Sequence, residues 1–420
     1  MLSRADNELL TRTDPGTVMG ALLRRYWVPC MVAGELPGRD EPPVRLRLMG
    51  EDLVVFRDSQ GRVGVFDEAC PHRLTSLYYG RNEAGGLRCV YHGWKFDVTG
   101  RCVDLPTEPA GSTFRDKVRA TAYPARERGG LLWVYLGPAG GEPAFPEFEW
   151  LDLPGAQRYA SRWEQACNSI QAMEGELDAA HVSFLHRLVD AVADDKQALT
   201  GAYFREDTAP RWHVRDTPYG FVAASERSVE ADRSYWRLNQ FLMPFYTMIT
   251  SLPEHARMTR MWVPKDDTHC WVIAVNFRPD APLGDAELAA WRNGENTHRR
   301  VVPGTTQPLE TAANEYLIDR AAQKTRSFTG IHGIRAQDAM ATESAGPIVD
   351  RTREHLGSSD VAIISMRRRL LAEARALCER GEPPSGTRDG ALYRVRAHQA
   401  VLPRALPFER EPQVLAAMRA

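Results

Sequence analysis

The sequence predicts an α+β protein in two unlike halves, an all-β N-terminal domain followed by a domain of antiparallel sheet and helices. Three observations carry this. Between residues 44 and 136, short apolar alternations separated by turn residues leave no long helical period. Residues 137–154 then hold Pro138, Pro143, Pro146 and Pro154 with Gly137, Gly140 and Gly141, a density that suits a linker and no regular element. Beyond it, helical stretches and alternating strands are intermixed. A length of 420 residues agrees with two or three domains. The expected division is 1–25 as an N-terminal segment, 26–140 as the β domain, 141–154 as linker and 155–420 as the second domain.

The elements follow in order. A short helix is expected over residues 18–26. Val44, Leu46 and Leu48 alternate with Arg45, Arg47 and Met49, and residues 53–56 follow a Gly50-Glu51-Asp52 turn. Residues 94–97 and 101–103 read as a hairpin around Thr99-Gly100, and the apolar run 131–136 reads as a buried strand. The second half should open with a helical stretch over about 163–190, then strands within 211–249 and 258–278. Residues 279–310, rich in Pro, Gly and polar side chains, read as a long excursion. Helices are expected over 311–327 and over 359–380, the latter with Ser359 as N-cap and Gly381 at its C-terminal end.

Charge and composition exclude several classes. Lys plus Arg number 53 and Asp plus Glu 55, a formal net charge of −2, which argues against a basic nucleic-acid binder. No apolar run approaches a membrane span and the N-terminus has no apolar leader core, so a cytoplasmic protein is expected. The seven cysteines are odd in number and spread along the chain, as reduced thiols or metal ligands would be.

Two constellations carry chemistry. Cys70-Pro71-His72 and Cys89-Val90-Tyr91-His92 lie in the β half, with sixteen residues between His72 and Cys89. Each loop offers one sulfur and one imidazole, the inventory of a [2Fe-2S] cluster with two thiolates on one iron and two imidazoles on the other. Zinc also takes Cys and His, but its motifs usually pair Cys with Cys and His with His. Gly85, Gly86 and Gly93 suit a backbone that approaches inorganic sulfide closely.

The second constellation is Asp178, His181 and His186 in the first helical stretch of the second half. Asp178 and His181 share a helix face, whereas His186 would point about 140° from His181 on a straight helix. The helix must therefore end, bend or bulge between them if both are to hold one metal. Two imidazoles and a carboxylate on one face of Fe(II) leave positions open for O2 and substrate. Glu174, Asp178, Asp319, Asp338, Glu343 and Asp350 are candidate carboxylates that spacing does not rank. Four of the 11 histidines fall in these two signatures.

Together the motifs resemble the oxygenase component of Rieske non-haem iron ring-hydroxylating oxygenases. More narrowly, Gln171-Ala172-Met173-Glu174-Gly175, Gln240-Phe241-Leu242-Met243-Pro244, Gln337-Asp338 with Glu343-Ser344, and Gly346-Pro347-Ile348-Val349-Asp350-Arg351 through Glu354-His355-Leu356-Gly357 resemble the phthalate 4,5-dioxygenase branch. The resemblance implies a Rieske domain bearing the cluster on Cys70, His72, Cys89 and His92. It implies a helix-grip catalytic domain whose mononuclear Fe(II) is held by His181, His186 and Asp338. Asp178 would bridge a cluster histidine of one subunit to His181 of the next, in a head-to-tail trimer or pair of trimers. Glu174 stands where some members have Asn near the iron, so it would hydrogen-bond near the site or face solvent.

The activity implied is hydroxylation of an aromatic substrate with O2, using electrons from a separate flavin-containing reductase with or without a ferredoxin domain. A carboxylated substrate would need a cation in an apolar pocket, and Arg211, Arg227, Arg237 and Arg260 are the candidates. Monooxygenation, including O-demethylation of aryl ethers, is the alternative chemistry. An electron-transfer protein using only its Rieske domain and a zinc-stabilised binding module are alternatives of other classes.

Overall fold

The computed structural model describes residues 2–189, 197–230, 232–250 and 255–420. Two helices open the chain, α1 (Arg4–Thr11) and α2 (Val18–Leu23), each capped by a hydroxyl: Ser3 accepts from the Asp6 N–H and Thr17 from the Gly20 N–H. Ten strands follow: β1 (Val28–Val32), β2 (Val44–Leu48), β3 (Glu51–Arg57), β4 (Val63–Asp67), β5 (Arg81–Glu83), β6 (Gly86–Arg88), β7 (Lys95–Phe96), β8 (Cys102–Asp104), β9 (Ala125–Arg128) and β10 (Leu131–Val134). They form antiparallel sheets in the orders β1-β10-β9, β2-β3-β4 and β5-β6-β7-β8. The sequence pattern places the first strand at residue 44. β1 precedes it as an unalternating, buried run, with a register shift beside Pro29 where a ladder N–H is missing. The expected hairpin at Thr99-Gly100 joins β7 to β8, and Asp97 closes it by accepting from the Thr99 and Arg101 N–H groups.

The second half comprises β11 (Arg158–Gln165), α3 (Ser169–Leu177), α4 (Gln197–Glu206), β12 (Arg211–Thr217), β13 (Gly220–Val229), β14 (Arg233–Leu242), β15 (Tyr246–Met248), β16 (Arg257–Pro264), β17 (Cys270–Phe277), α5 (Asp285–Arg292), α6 (Arg320–Thr325), α7 (Ile334–Glu343), α8 (Val361–Arg380), β18 (His398–Pro403) and α9 (Pro412–Ala417). One antiparallel sheet runs β11-β17-β16-β15-β14-β13-β12, with β18 pairing the first half of β14. α3 packs on the sheet at β16 and α7 packs on α3. Sheet and helices thus clasp the segments that carry the second constellation.

Several expectations are corrected. Residues 158–165 are strand, and the helix expected over 163–190 is the shorter α3, stopped at Asp178; residue 190 of that stretch, like residue 231 of the next, lies outside the described residues. The helix expected over 311–327 is broken. Glu315, Tyr316 and Leu317 have φ of 52°, 53° and 53°, a left-handed turn that side chains other than glycine adopt at a cost of about 1–2 kcal/mol each. Ser359 lies in a short 3-10 turn and α8 begins after Asp360, while Gly381 takes the left-handed conformation expected at its end. The excursion at 279–310 contains α5.

The Pro-rich segment is threaded into the main core. Phe148 stacks on Trp150 at 5.5 Å and meets Tyr246 and Tyr393 edge-on at 5.0 and 5.3 Å. Burying each such ring stabilises the fold by roughly 1.5–3 kcal/mol.

Candidate metal centres

The two Cys-His loops are built alike. In the first, the Cys70 carbonyl accepts from the Leu74 N–H and the Cys70 N–H donates to Thr75; in the second, the Cys89 carbonyl accepts from the Gly93 N–H and the Cys89 N–H donates to Trp94. Each turn needs a left-handed residue at the same place, Leu74 at φ 58° and Gly93 at φ 77°. Both thiols are buried and free, and Cys70 accepts from the N–H groups of His72 and Arg73 and contacts Cys89. Burial, mainly, pushes the Cys70 thiol up to about 12, so the thiolate is disfavoured until a metal replaces its proton. The His72 and His92 rings meet edge-on at 4.4 Å, and Trp94 stacks on His72 at 4.1 Å. Nδ1 of His92 is buried without a hydrogen-bond partner, as an imidazole nitrogen aimed at a metal would be. Two buried thiols and two half-buried imidazoles gathered at one tip fit the cluster.

The second site forms where α3 ends. Asp178 stops the helix by turning its Oδ1 to the N–H groups of Ala180 and His181, at 2.7 and 3.3 Å. Asp178 and His181 therefore meet through this turn, not along a helix face, with Oδ2 3.5 Å from His181 Nδ1. After one 3-10 turn the chain brings His186 back, so that the Nε2 atoms of His181 and His186 lie 3.1 Å apart. Asp338, on α7, places Oδ1 3.1 Å from His186 Nε2 and 3.7 Å from His181 Nε2. Metal–ligand bonds of ~2.1 Å at right angles would set donors ~3.0 Å apart, so this triangle fits one face of an octahedral ion.

Two residues to which sequence reasoning gave no role, Gln337 and Arg335, hold the triangle in place. Gln337 Oε1 accepts from His186 Nδ1 at 2.7 Å, while its Nε2 donates to the Ile331 carbonyl. With Nδ1 protonated, the Nε2 lone pair faces the site. Arg335 donates to Glu176 at 2.6 Å and approaches Asp338 Oδ2 at 3.2 Å, leaving Oδ1 free. The i, i+3 spacing of Arg335 and Asp338 on a helix was a legible signal. Burial opposes ionisation of Asp338, but His186, Arg335 and His181 outweigh it and hold the carboxyl well below its ordinary range. His181 is raised: burial opposes its charge, and the Asp178 hydrogen bond with the charge of Asp338 prevails.

Glu174 does neither of the things expected of it. It is buried, and its Oε1 accepts from Arg351 and Arg367, with Arg367 also bound to Glu354. It ties α3 to α8. The four arginines separate clearly. Arg211 is largely exposed and pairs with Glu226. Arg227 is buried, donating to the carbonyls of Asp207 and Ala179, the latter next to Asp178. Arg260 is buried among the carbonyls of Thr259 and Thr297 and the side chain of Asn276. Arg237 donates to Thr250 Oγ1, lines a 420 Å³ cavity with Phe204, Tyr235, Trp291 and Ile334, and has no carboxylate partner among the described residues. A second cavity of 690 Å³ reaches His181 from the surface, between the exposed Phe184 and Phe328.

A cluster-binding β domain joined to a sheet-and-helix domain with a two-histidine, one-carboxylate triangle defines a Rieske-type oxygenase. The Rieske [2Fe-2S] domain family matches residues 26–121, and the family described as LigXa C-terminal domain like matches residues 134–415. The 3-chlorobenzoate-3,4-dioxygenase oxygenase subunit of Comamonas testosteroni is 40% identical over 405 residues, covering 92% of this chain and 92% of that protein. The phthalate 4,5-dioxygenase oxygenase subunit of Pseudomonas putida is 39% identical over 412 residues, 96% and 93% of the two chains. Among solved structures, dicamba monooxygenase bound to dicamba shares the fold, with a TM-score of 0.60 at 17% identity, covering 86% of this chain and 100% of that one.

The chain belongs to the Rieske non-haem iron oxygenase family. It is an oxygenase component and an oxidoreductase, with a Rieske [2Fe-2S] cluster and a mononuclear non-haem iron as cofactors, and such components work with a separate reductase or ferredoxin. No helix among the described residues is long and apolar enough to cross a membrane.

Proposed function

We propose that this chain hydroxylates an aromatic carboxylate with O2, with the iron on His181, His186 and Asp338 and the cluster on Cys70, His72, Cys89 and His92. The observation that carries the proposal is the Nε2, Nε2, Oδ1 triangle in a chain that also bears a Rieske domain. Iron bound there supplies the positions at which O2 is activated beside the substrate. The chain's own groups do the rest. Gln337 fixes the His186 tautomer, Arg335 holds the outer oxygen of Asp338, and Asp178 orients His181 through backbone and ring. Residues 26–140 serve as the electron-relay domain and 155–420 as the catalytic domain, with 1–25 and 141–154 as N-terminal segment and linker.

Asp178 is the bridge by which an electron passes from His92 or His72 of one protomer to His181 of the next, in a head-to-tail trimer. Supporting this, exposed apolar side chains rim both centres: Leu74, Val90 and Tyr91 at the cluster tip, Phe184, Leu188 and Phe328 beside His181. The 690 Å³ cavity, which touches His181, belongs to this open face, and the 420 Å³ cavity, which reaches the helix of Asp338 at Ile334, is taken as the substrate chamber. The chain works in the cytoplasm, with a flavin-containing reductase, with or without a ferredoxin domain, as its electron donor.

The substrate class rests on Arg237, a cation with no acid in ion-pair contact among the described residues, in a chamber whose walls include Phe204, Tyr235 and Trp291 and whose acid, Glu287, is held by Arg278, and on relatives whose names specify phthalate and 3-chlorobenzoate. Dihydroxylation consumes the ring, O2, two electrons and two protons and leaves both oxygen atoms in a cis-diol. Turnover of phthalate and 3-chlorobenzoate with labelled O2 tests it: two labelled atoms per product are expected, and one would identify monooxygenation. Arg237→Gln should abolish preference for the carboxylate over its amide with iron content intact, and an unchanged preference contradicts the substrate reading.

A further inference from the structure

The substrate chamber does not end at its own walls. A neighbouring cavity, of 240 Å³, adjoins it, with Ile249, His255, Met258 and Gln399 bordering both. The outer cavity holds three guanidiniums. Arg278 is satisfied by Glu287 at 2.8 Å, and Arg396 by a two-pronged contact with Glu149. Arg257, at the start of β16, is only partly exposed and has no hydrogen bond or ion pair among the described residues. The acid in this outer cavity, Asp280, is exposed. Glu149 and Asp280 act on Arg257 only from beyond ion-pair contact, and burial together with the like charge of Arg396 outweighs them, so the half-buried guanidinium is left with desolvation that no direct partner offsets. His398, which faces Arg257, is depressed by burial and by that charge, so it stays neutral near pH 7, and neighbouring Arg396 adds a like charge.

Two cations with no acid in ion-pair contact among the described residues therefore stand in two adjoining cavities, Arg257 in the outer one and Arg237 in the inner. We propose that the outer cavity is an anion-recognising vestibule through which carboxylated aromatics enter, Arg257 making the first charged contact before the carboxylate passes to Arg237. This rests on the aromatic-carboxylate reading above. The border the two cavities share suits such a molecule: Met258 and Ile249 offer apolar surface to the ring, while Gln399, whose Oε1 accepts from the Tyr235 hydroxyl, offers its amide nitrogen to the carboxylate. A charge in a concave, low-dielectric mouth acts on encounter more than on the bound state, so its signature is kinetic and salt-dependent.

The test uses the iron-loaded holoenzyme with its reductase and the probes phthalate, 3-chlorobenzoate and 3-chlorobenzamide. Arg257→Gln should lower kcat/KM for the two carboxylates roughly tenfold, leave kcat within about twofold, and flatten the decline of kcat/KM with added salt. Arg257→Lys should restore most of the loss, and 3-chlorobenzamide should not respond to either change. A merely structural role would instead move kcat, iron content and the amide together, and that result would overturn the proposal. Carboxylate turnover with unaltered kcat/KM and salt dependence in Arg257→Gln overturns the vestibule alone. Turnover of the neutral amide with neither carboxylate accepted overturns the substrate reading and the vestibule with it.

Discussion

Gln337 makes the sharpest single-residue prediction. Its Oε1 accepts the Nδ1–H of His186 at 2.7 Å, and the His186 side chain is only 12% exposed, so little water is at hand to replace the bond. Gln337→Leu keeps the volume but leaves that N–H unpartnered whenever Nε2 is turned to the metal. An unsatisfied buried donor costs about 1–3 kcal/mol, and each ~1.4 kcal/mol is tenfold in an equilibrium constant. Fe(II) should therefore bind the mononuclear site roughly 10–100-fold more weakly, in line with the loss usual for groups behind a metal's ligands. The Rieske tip lies on other strands, so its visible spectrum should be unchanged. The assay is anaerobic Fe(II) titration of cluster-loaded, mononuclear-iron-depleted protein, with Gln337→Glu as a companion that restores an acceptor. Wild-type iron affinity in Gln337→Leu would refute the reasoning, because it would mean that the hydrogen bond does not choose the tautomer.

Asp178→Asn should retain both metal centres and a reducible cluster while losing most substrate-dependent turnover; stopped-flow oxidation of the reduced cluster checks it, and unaltered rates would remove the bridging role. Glu174→Gln should destabilise the fold by about 3–5 kcal/mol, since it strips the shared acid from buried Arg351 and Arg367, and yet leave iron stoichiometry intact. Denaturant unfolding of the apoprotein measures it. The pH dependence of iron binding follows from His181, whose pKa in the metal-free chain lies above the ordinary 6.5 because Asp178 and Asp338 outweigh burial. The stabilisation from charged His181 is therefore fully present below pH 6.5 and fades as pH rises through the raised value. Fe(II) needs the neutral ring, so affinity should rise with pH across that same window, with about one proton released per iron bound. Titrations in buffers of different ionisation enthalpy would count it.

Both metal-binding signatures were legible in the sequence because their donors are nearly contiguous: Cys70 with His72, Cys89 with His92, His181 with His186. The strand texture of the first half was legible for a similar reason, since alternation is a local property. What escaped depends on distant partners. The helix through Asp178 reads as continuous, and it stops only because the Asp178 carboxylate competes for the N–H groups of Ala180 and His181. Glu174 meets Arg351 and Arg367 from 177 and 193 residues away, so its burial could not be foreseen from its neighbours. The arginines were indistinguishable until strand register was known; β12 lies against β13 so that Arg211 faces Glu226, whereas Arg237 falls on the cavity side of β14 with no acid opposite. Leu74 gave no signal at all, because its left-handed turn is one that Gly93 fills in the sister loop.

A single-turnover experiment asks whether oxygenation requires iron on His181, His186 and Asp338. Holoenzyme with a chemically reduced cluster, free of reductase, is mixed with phthalate and O2, and cluster oxidation and product are followed together in wild type and in Asp338→Ala. Wild type should form product as its cluster oxidises, and Asp338→Ala, with an intact Rieske spectrum but no mononuclear iron, should oxidise slowly and form none. Product in the variant at the wild-type yield would contradict that requirement.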